Sequence, residues 1–271
     1  MCSPNGGLLS SINSLNPDIV LTTILEGLEK WKTLPEKDKK LPKNFSPSTS
    51  HRWEDSYPTE GLVLKGAKAD LLSDPPIDSL RGSRWNMDYI WFSNYESKLW
   101  LPKSKEIGLI QKCPKIIKDR LFRFHFVDNV RGQTLPFAAE EIIEANLNVQ
   151  LTKKDKSTLE FKILGKSTAV AKGPWKLGEN DWTPTHDLNH SIKTNVLGNA
   201  TYDTINKKFV EFEMVIIGHW VGKTQNNGRH SGPESGMIGI TYNLSENNYL
   251  NKIAPAFIDL YNADWVQQPE K

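Results

Sequence analysis

The sequence predicts an α+β protein, with helices of the N-terminal half packed against a mainly antiparallel β-sheet formed by the C-terminal half. Two observations carry that expectation. Apolar residues recur at helical spacing only early in the chain, as in Leu21, Ile24, Leu25, Leu28 and Trp31. From about residue 146 the period drops to two, and the period-two segments are joined by short, polar turns. Strands linked by tight turns, with helices gathered before them, describe an antiparallel sheet with helices on one side. A half-barrel is one form that a curling sheet of this kind can take.

The elements follow in order. Residues 1–15 read as a flexible tether and 16–271 as a single domain. Asn16-Pro17-Asp18 is a helix start: a capping amide, Pro at the first helical position and an acid near the positive end of the helix dipole. Leu34-Pro35 stops that helix, and the Lys-, Pro- and Ser-rich stretch 36–56 reads as a surface linker. Short β-like segments follow at 61–72 and 87–92. Pro114 opens a second helix with Ile117, Leu121, Phe124 and Asp128 on one face and Gly132 as its stop, and 138–142 adds a helical turn. Segments 146–151 and 158–164 flank the charged turn Lys153-Lys154-Asp155-Lys156, and 195–202 and 209–218 flank a second turn at 203–207. Alternation through Phe209–Ile216 puts Val210, Phe212, Met214 and Ile216 on the apolar face, and Phe209, Glu211, Glu213 and Val215 on the other. A last strand spans 236–243, and 253–261 reads as a closing helix interrupted by Pro255.

Composition narrows the function classes. The chain has 271 residues, 38% hydrophobic and 24% charged, a globular balance long enough to bury a sizeable core. Lys and Arg number 34 against 32 Asp and Glu, a net charge of +2, which argues against a nucleic-acid partner. No apolar run approaches the length that spans a bilayer; the most apolar, 214–217, is a few residues long. Cys2 and Cys113 are the two cysteines, with no metal spacing between them, and a bridge from a terminal residue would be a poor staple. Residues 1–15 lack the basic segment and apolar run of a signal peptide. The start Met1-Cys2-Ser3-Pro4-Asn5-Gly6-Gly7 reads either as a lipid-anchoring Cys with a polar tether or as an ordinary cytoplasmic start.

Two apparent motifs fail on their own chemistry. Gly165-Lys166-Ser167-Thr168 looks like the end of a phosphate-binding loop, but Glu160 stands where a Gly is needed and β-like sequence follows instead of a helix. In Gly232-Pro233-Glu234-Ser235-Gly236 the Ser falls one place too late for a nucleophile elbow. No cofactor is implied.

Four constellations remain. His125, Asn129 and Arg131 cluster at the end of the second helix, where His125 and Asn129 at four-residue spacing would share a face; such a set suits acid–base chemistry or an anion. Their structural alternative is capping of the helix end. His186, His190, His219 and His230, with Asp181 and Asp187 nearby, offer imidazole ligands for a metal, or are surface histidines. In the tract 218–230 a strand opens into a polar loop holding Trp220, Asn226, Asn227 and Arg229, groups that would recognise a sugar or another polyhydroxylated ligand around an exposed aromatic; a hydrated Asn-Gly turn is the alternative. Finally, there are nine tryptophans, whose indoles suit both core packing and stacking on sugar rings; most read as core or boundary residues, and two or three could form a ligand platform.

The segments Phe124–Gly132, Leu197–Asp203 and Gly218–Gly222 resemble a family of uncharacterised bacterial proteins that are usually exported, over roughly residues 55–245. The resemblance implies a periplasmic or extracellular location, with the cytoplasm as alternative, and brings no activity, cofactor or site residue. The expectation is therefore a non-catalytic, extracytoplasmic binding or interaction domain for a sugar, a small carboxylate or a protein partner. The alternative is an enzyme with His125 as general base and Arg131 and Arg229 as clamps, or a metal-dependent variant using the histidines.

Overall fold

The computed structural model describes residues 1–41, 43–45, 56–71, 85–172, 189–224, 227–229, 233–258 and 261. The chain divides into two units, Met1–His51 and Arg52–Lys271, where the sequence suggests one domain from residue 16 onward.

The first unit is built on helix α1 (Pro17–Thr33), capped as expected: the Asn16 carbonyl side chain accepts from the Asp18 and Ile19 amides, and Pro17 occupies the first turn. Its apolar stripe stays open, with Leu21, Ile24, Leu25 and Leu28 all exposed. The first ten residues are not a plain tether. They close into a turn in which Ser3 N–H donates to Gly7 O, Cys2 bridges Leu8, and the terminal amine reaches Ser10 O at 2.7 Å.

Among the described residues the second unit holds eight strands: β1 (Leu62–Asp70), β2 (Trp85–Phe92), β3 (Ile110–Lys112), β4 (Ile142–Lys154), β5 (Thr158–Ala171), β6 (His190–Asp203), β7 (Lys208–Gly222) and β8 (Ser235–Leu244). They form one antiparallel sheet in the order β2-β1-β8-β7-β6-β5-β4-β3, which does not close. Strands β4 to β8 are a meander, with successive strands joined as neighbours. Two short helices, α2 (Asn94–Lys98) and α3 (Lys115–Asp119), complete the unit, and α3 runs on as a π-helical segment Arg120–His125. No helix is long and apolar enough to cross a membrane among the described residues.

One face of the sheet is the core. On β7 the side chains of Phe212, Met214, Ile216 and Trp220 are buried while their neighbours are exposed, and β6 alternates the same way. The inner face curls. The Trp100 ring meets Phe92 on β2 at 5.7 Å and Phe212 on β7 at 5.1 Å. In a flat sheet those strands, three apart, would lie about 14 Å from each other. Inside the curl run α3 and the π-helical segment, whose Arg120, Leu121, Phe122, Arg123, Phe124 and His125 are all buried.

Several expectations need correcting. The face assignment fails at the start of β7, where Phe209 is buried at 7% and Val210 exposed at 43%. A β-bulge is the cause: Thr201 pairs with Glu211 and Tyr202 with Phe209, so Val210 has no partner and the alternation slips by one. The second helix ends at His125 and does not reach Gly132, because Phe126 N–H closes on Leu121 O across five residues and the chain then turns. Among the described residues of 253–261 no α-helix forms; a 3-10 turn at Tyr249–Asn251 precedes Pro255. The hairpins β4–β5 and β6–β7 and the turn at Ala139–Glu141 stand as expected.

Candidate functional site

On β1 the buried face begins with Leu62, Leu64 and Gly66 and continues, two residues at a time, into Lys68 and Asp70. An apolar face that turns charged must bring its own partners, since an unpaired buried charge is costly. Two polar clusters provide them.

The first surrounds Asp88 on β2. Its carboxylate receives Lys68 Nζ at 3.0 Å, His125 Nδ1 at 3.0 Å, the Tyr242 hydroxyl at 2.6 Å and the Tyr89 amide at 2.9 Å. Lys68 also donates to His125 O, and His125 Nε2 meets the Tyr261 hydroxyl. A Cβ at Gly66 would stand 2.4 Å from the Tyr242 ring, so only glycine lets that tyrosine reach Asp88 beneath β1. Burial would raise the Asp88 carboxyl; Lys68, His125 and Tyr242 outweigh it and hold it well below the usual carboxylate range. Burial lowers the His125 imidazole, reinforced by Lys68 and Arg120 against the opposing pull of Asp88. A neutral ring beside a carboxylate must carry its proton on Nδ1, which leaves Nε2 to accept from Tyr261.

The second cluster joins three distant segments. Arg229 donates to both oxygens of Asp70 at 2.7 and 3.0 Å and to both oxygens of Asp128 at 2.7 and 2.9 Å. Arg131 Nε adds a bond to Asp70 at 2.6 Å. Two cations and two carboxylates sum to zero charge. The guanidinium lies 4.1 Å over the Trp220 ring. Gly228, at φ +71°, makes the turn that delivers Arg229, and a side chain there would press on Arg131. Burial would raise the Asp70 carboxyl, but Arg229 and then Arg131 lower it; burial would lower the Arg229 guanidinium, and the hydrogen bonds it donates to Asp128 and Asp70 raise it.

The structure thus brings Arg131, Arg229, Asn227 and Trp220 together, but as interior. Trp220 is 2% exposed and Arg229 5%, so the aromatic expected to stand open in the loop is a buried shelf for the guanidinium. Asn227 is buried and braces the turn, accepting from the Arg229 amide. His125 and Asn129 do not share a helical face, because the helix has ended; Asn129 is buried and its main-chain carbonyl accepts from Asn86. His190 lies on the inner face, stacked on Phe137 at 5.3 Å, and His219 on the outer face, so the sheet itself separates these two proposed ligands. Among the described residues no three His, Cys, Asp or Glu side chains gather to hold a metal. Asn226, His186 and His230 lie outside the described residues. Cys2 and Cys113 are free thiols; burial pushes Cys113 up to about 12, against a weak pull from Lys118.

Sequence reasoning missed Lys68, Asp70, Asp88, Tyr242 and Tyr261. The signal for the first three was present in β1 and β2, where alternation places them on the same face as Leu62, Leu64, Ile90 and Phe92.

The outer face of the sheet carries an open cleft. A groove of about 520 Å³ lies across β2, β1 and β8. Ala67 floors it, Trp85 and Met87 form one wall, Thr241 and Asn243 the other, and Lys65, Ser245, Glu246 and Asn251 complete the rim. Trp85 is 59% exposed. Lys65 Nζ donates to Asn251 Oδ1 at 3.2 Å, which fixes one end of the groove. Compared with family models, curated proteins and solved structures, the chain matches none.

Proposed function

We propose that this protein is a non-catalytic binding domain that takes a polyhydroxylated, sugar-like ligand in the outer-face groove beside Trp85. The observation that carries the reading is the pairing of a 59%-exposed indole with amide, hydroxyl and single charged groups around one cleft. An indole face covers the apolar side of a sugar ring, and Asn243 and Thr241 supply the donors and acceptors that hydroxyls need. The groove volume suits one or two rings.

Two further observations support binding over catalysis and sugar over carboxylate. His125 is fully buried with both ring nitrogens engaged, so no face of it is offered to a substrate. Arg131 and Arg229, the cations expected to clamp a carboxylate, are already committed to Asp70 and Asp128. An extracytoplasmic location, with Cys2 as a point of lipid attachment, belongs to the same reading.

A glycan array probed with the full chain tests it. The expected result is retention of a defined group of saccharides, with binding weakened tenfold or more by Trp85→Ala. Retention of none, or equal binding by the variant, would overturn the reading.

A further inference from the structure

A helix with one apolar stripe needs something to bury it against. Helix α1 has such a stripe, Leu21, Ile24, Leu25 and Leu28, and all four are exposed. Within the first unit, taken by itself, the turn of the first ten residues packs to one side of it. That turn lies along Gly27, where a Cβ would stand 2.5 Å from Ser10 Oγ, about 110° round the helix from the middle of the stripe. Neither buried hydrophobic cluster of the described residues includes a residue of this unit. The stripe is left open.

Its apolar exposure runs past both ends. Leu15, just ahead of the helix, is 90% exposed, and Leu41 and Phe45 beyond it are open as well. A partner helix laid along Leu21–Leu28 would leave those three uncovered, whereas an apolar layer has no such limit of length. At the far end of the stripe Trp31 and Lys32 follow Leu28 at i+3 and i+4, and Trp31 is half-buried. An indole with its one donor and a lysine with its long stem suit the boundary between hydrocarbon and water.

Charge states the kind of layer. In α1 Glu29 is taken by Lys32, and after the helix Glu36 is taken by Lys39. Among the described residues Lys30, Lys37, Lys40 and Lys43 make no ion pair, and the acid standing unpaired among them is Asp38. The other unpaired acids of the unit, Asp18 and Glu26, lie earlier in the helix. The basic end is thus the end where Leu41 and Phe45 stand exposed between the lysines. Exposed apolar anchors interleaved with unpaired lysines match an anionic surface with an apolar interior.

We propose that the first unit docks on an anionic lipid surface. Helix α1, about 25 Å long, lies in the plane of the interface with its stripe at the acyl boundary, and Lys30, Lys37, Lys40 and Lys43 sit among the headgroups. The contact is peripheral, and it stands independently of the groove at Trp85.

Flotation of the full chain with lipid vesicles tests it, using Cys2→Ser so that no lipid chain at Cys2 contributes. The expected result is binding to vesicles of mixed phosphatidylglycerol and phosphatidylcholine, weaker by about tenfold on phosphatidylcholine alone or at high salt. Leu21→Asp with Leu25→Asp, both at exposed positions, leaves the chain folded by circular dichroism and abolishes binding. Lys37→Glu with Lys40→Glu weakens it about fivefold or more without touching the stripe. Flotation with neither vesicle overturns the proposal, as does undiminished binding by the leucine variant or equal binding to neutral and anionic vesicles. So does sedimentation showing a stable oligomer that the leucine variant dissociates, since a second copy would then cover the stripe.

Discussion

Arg229 shows most clearly what the buried polar residues do. It lies between two carboxylates drawn from positions 159 and 101 residues away in the chain, with its flat face on Trp220. Removing it leaves Asp70 and Asp128 facing each other without a shared cation. Breaking a buried pair from one side costs about 3–5 kcal/mol. Arg229→Ala should lose stability on that scale in urea unfolding, and Arg229→Lys should lose a smaller share, because an ammonium cannot serve two carboxylates with parallel bonds. Tyr242→Phe removes one hydroxyl from Asp88 and should cost about 1.5–3 kcal/mol, the range for a hydrogen bond to a charged group. Acidity gives an independent check. His125 is lowered by burial, so the unfolded chain takes up its proton first, near pH 6.5. Its contribution to stability is complete above that pH and is lost as the pH falls. Asp70 and Asp88 are lowered as well, so their contribution is complete above about pH 4 and is lost as the pH falls through their depressed folded values. Urea midpoints should therefore decline in two stages between pH 8 and pH 3, and His125→Asn should flatten the upper stage. A rise in stability between pH 7 and pH 5 would contradict the assignment of a neutral ring.

At the level of the elements, the bulge in β7 separates two readings of one strand. Simple alternation makes Val210 a core residue and Phe209 a surface one; the structure reverses them. Phe209→Ala should cost about 3 kcal/mol or more, as large-to-small changes in a core do, and Val210→Ala about 0.5 kcal/mol or less. Equal costs for the two would restore the regular strand. Strands β4 to β8 were legible because each is long and has one buried face, so period two persists over many residues. Strand β3 has three residues and helix α2 five, too few to display a period. The π-helical segment was not legible, since all its residues are buried and no one-sided stripe marks its winding. The charged cluster was half legible. Lys68 and Asp70 announce themselves by falling on an apolar face, but nothing local to Arg229 says which carboxylates it will meet. Trp220 misled for the same reason: its polar neighbours suggested exposure, and only the fold lays one of them over its ring.

At the scale of the molecule, both buried hydrophobic clusters formed by the described residues lie between Leu62 and Tyr261, within the second unit. Residues 52–271 expressed alone should unfold cooperatively with a native near-ultraviolet spectrum; loss of that spectrum would mean the first unit contributes to the core. The same division of labour runs across the sheet. Its inner face spends the reactive side chains, His125, Arg131 and Arg229 among them, on holding the curl together. Its outer face keeps an exposed indole and an open groove. Amide chemical-shift mapping during titration with a saccharide retained on the array tests this division most directly. Shifts gathered at Ala67, Met87, Thr241 and Asn243 are the expected result. Shifts gathered at Asn129, Asn227 and Arg229, with the groove silent, would place the ligand at the buried cluster and contradict it.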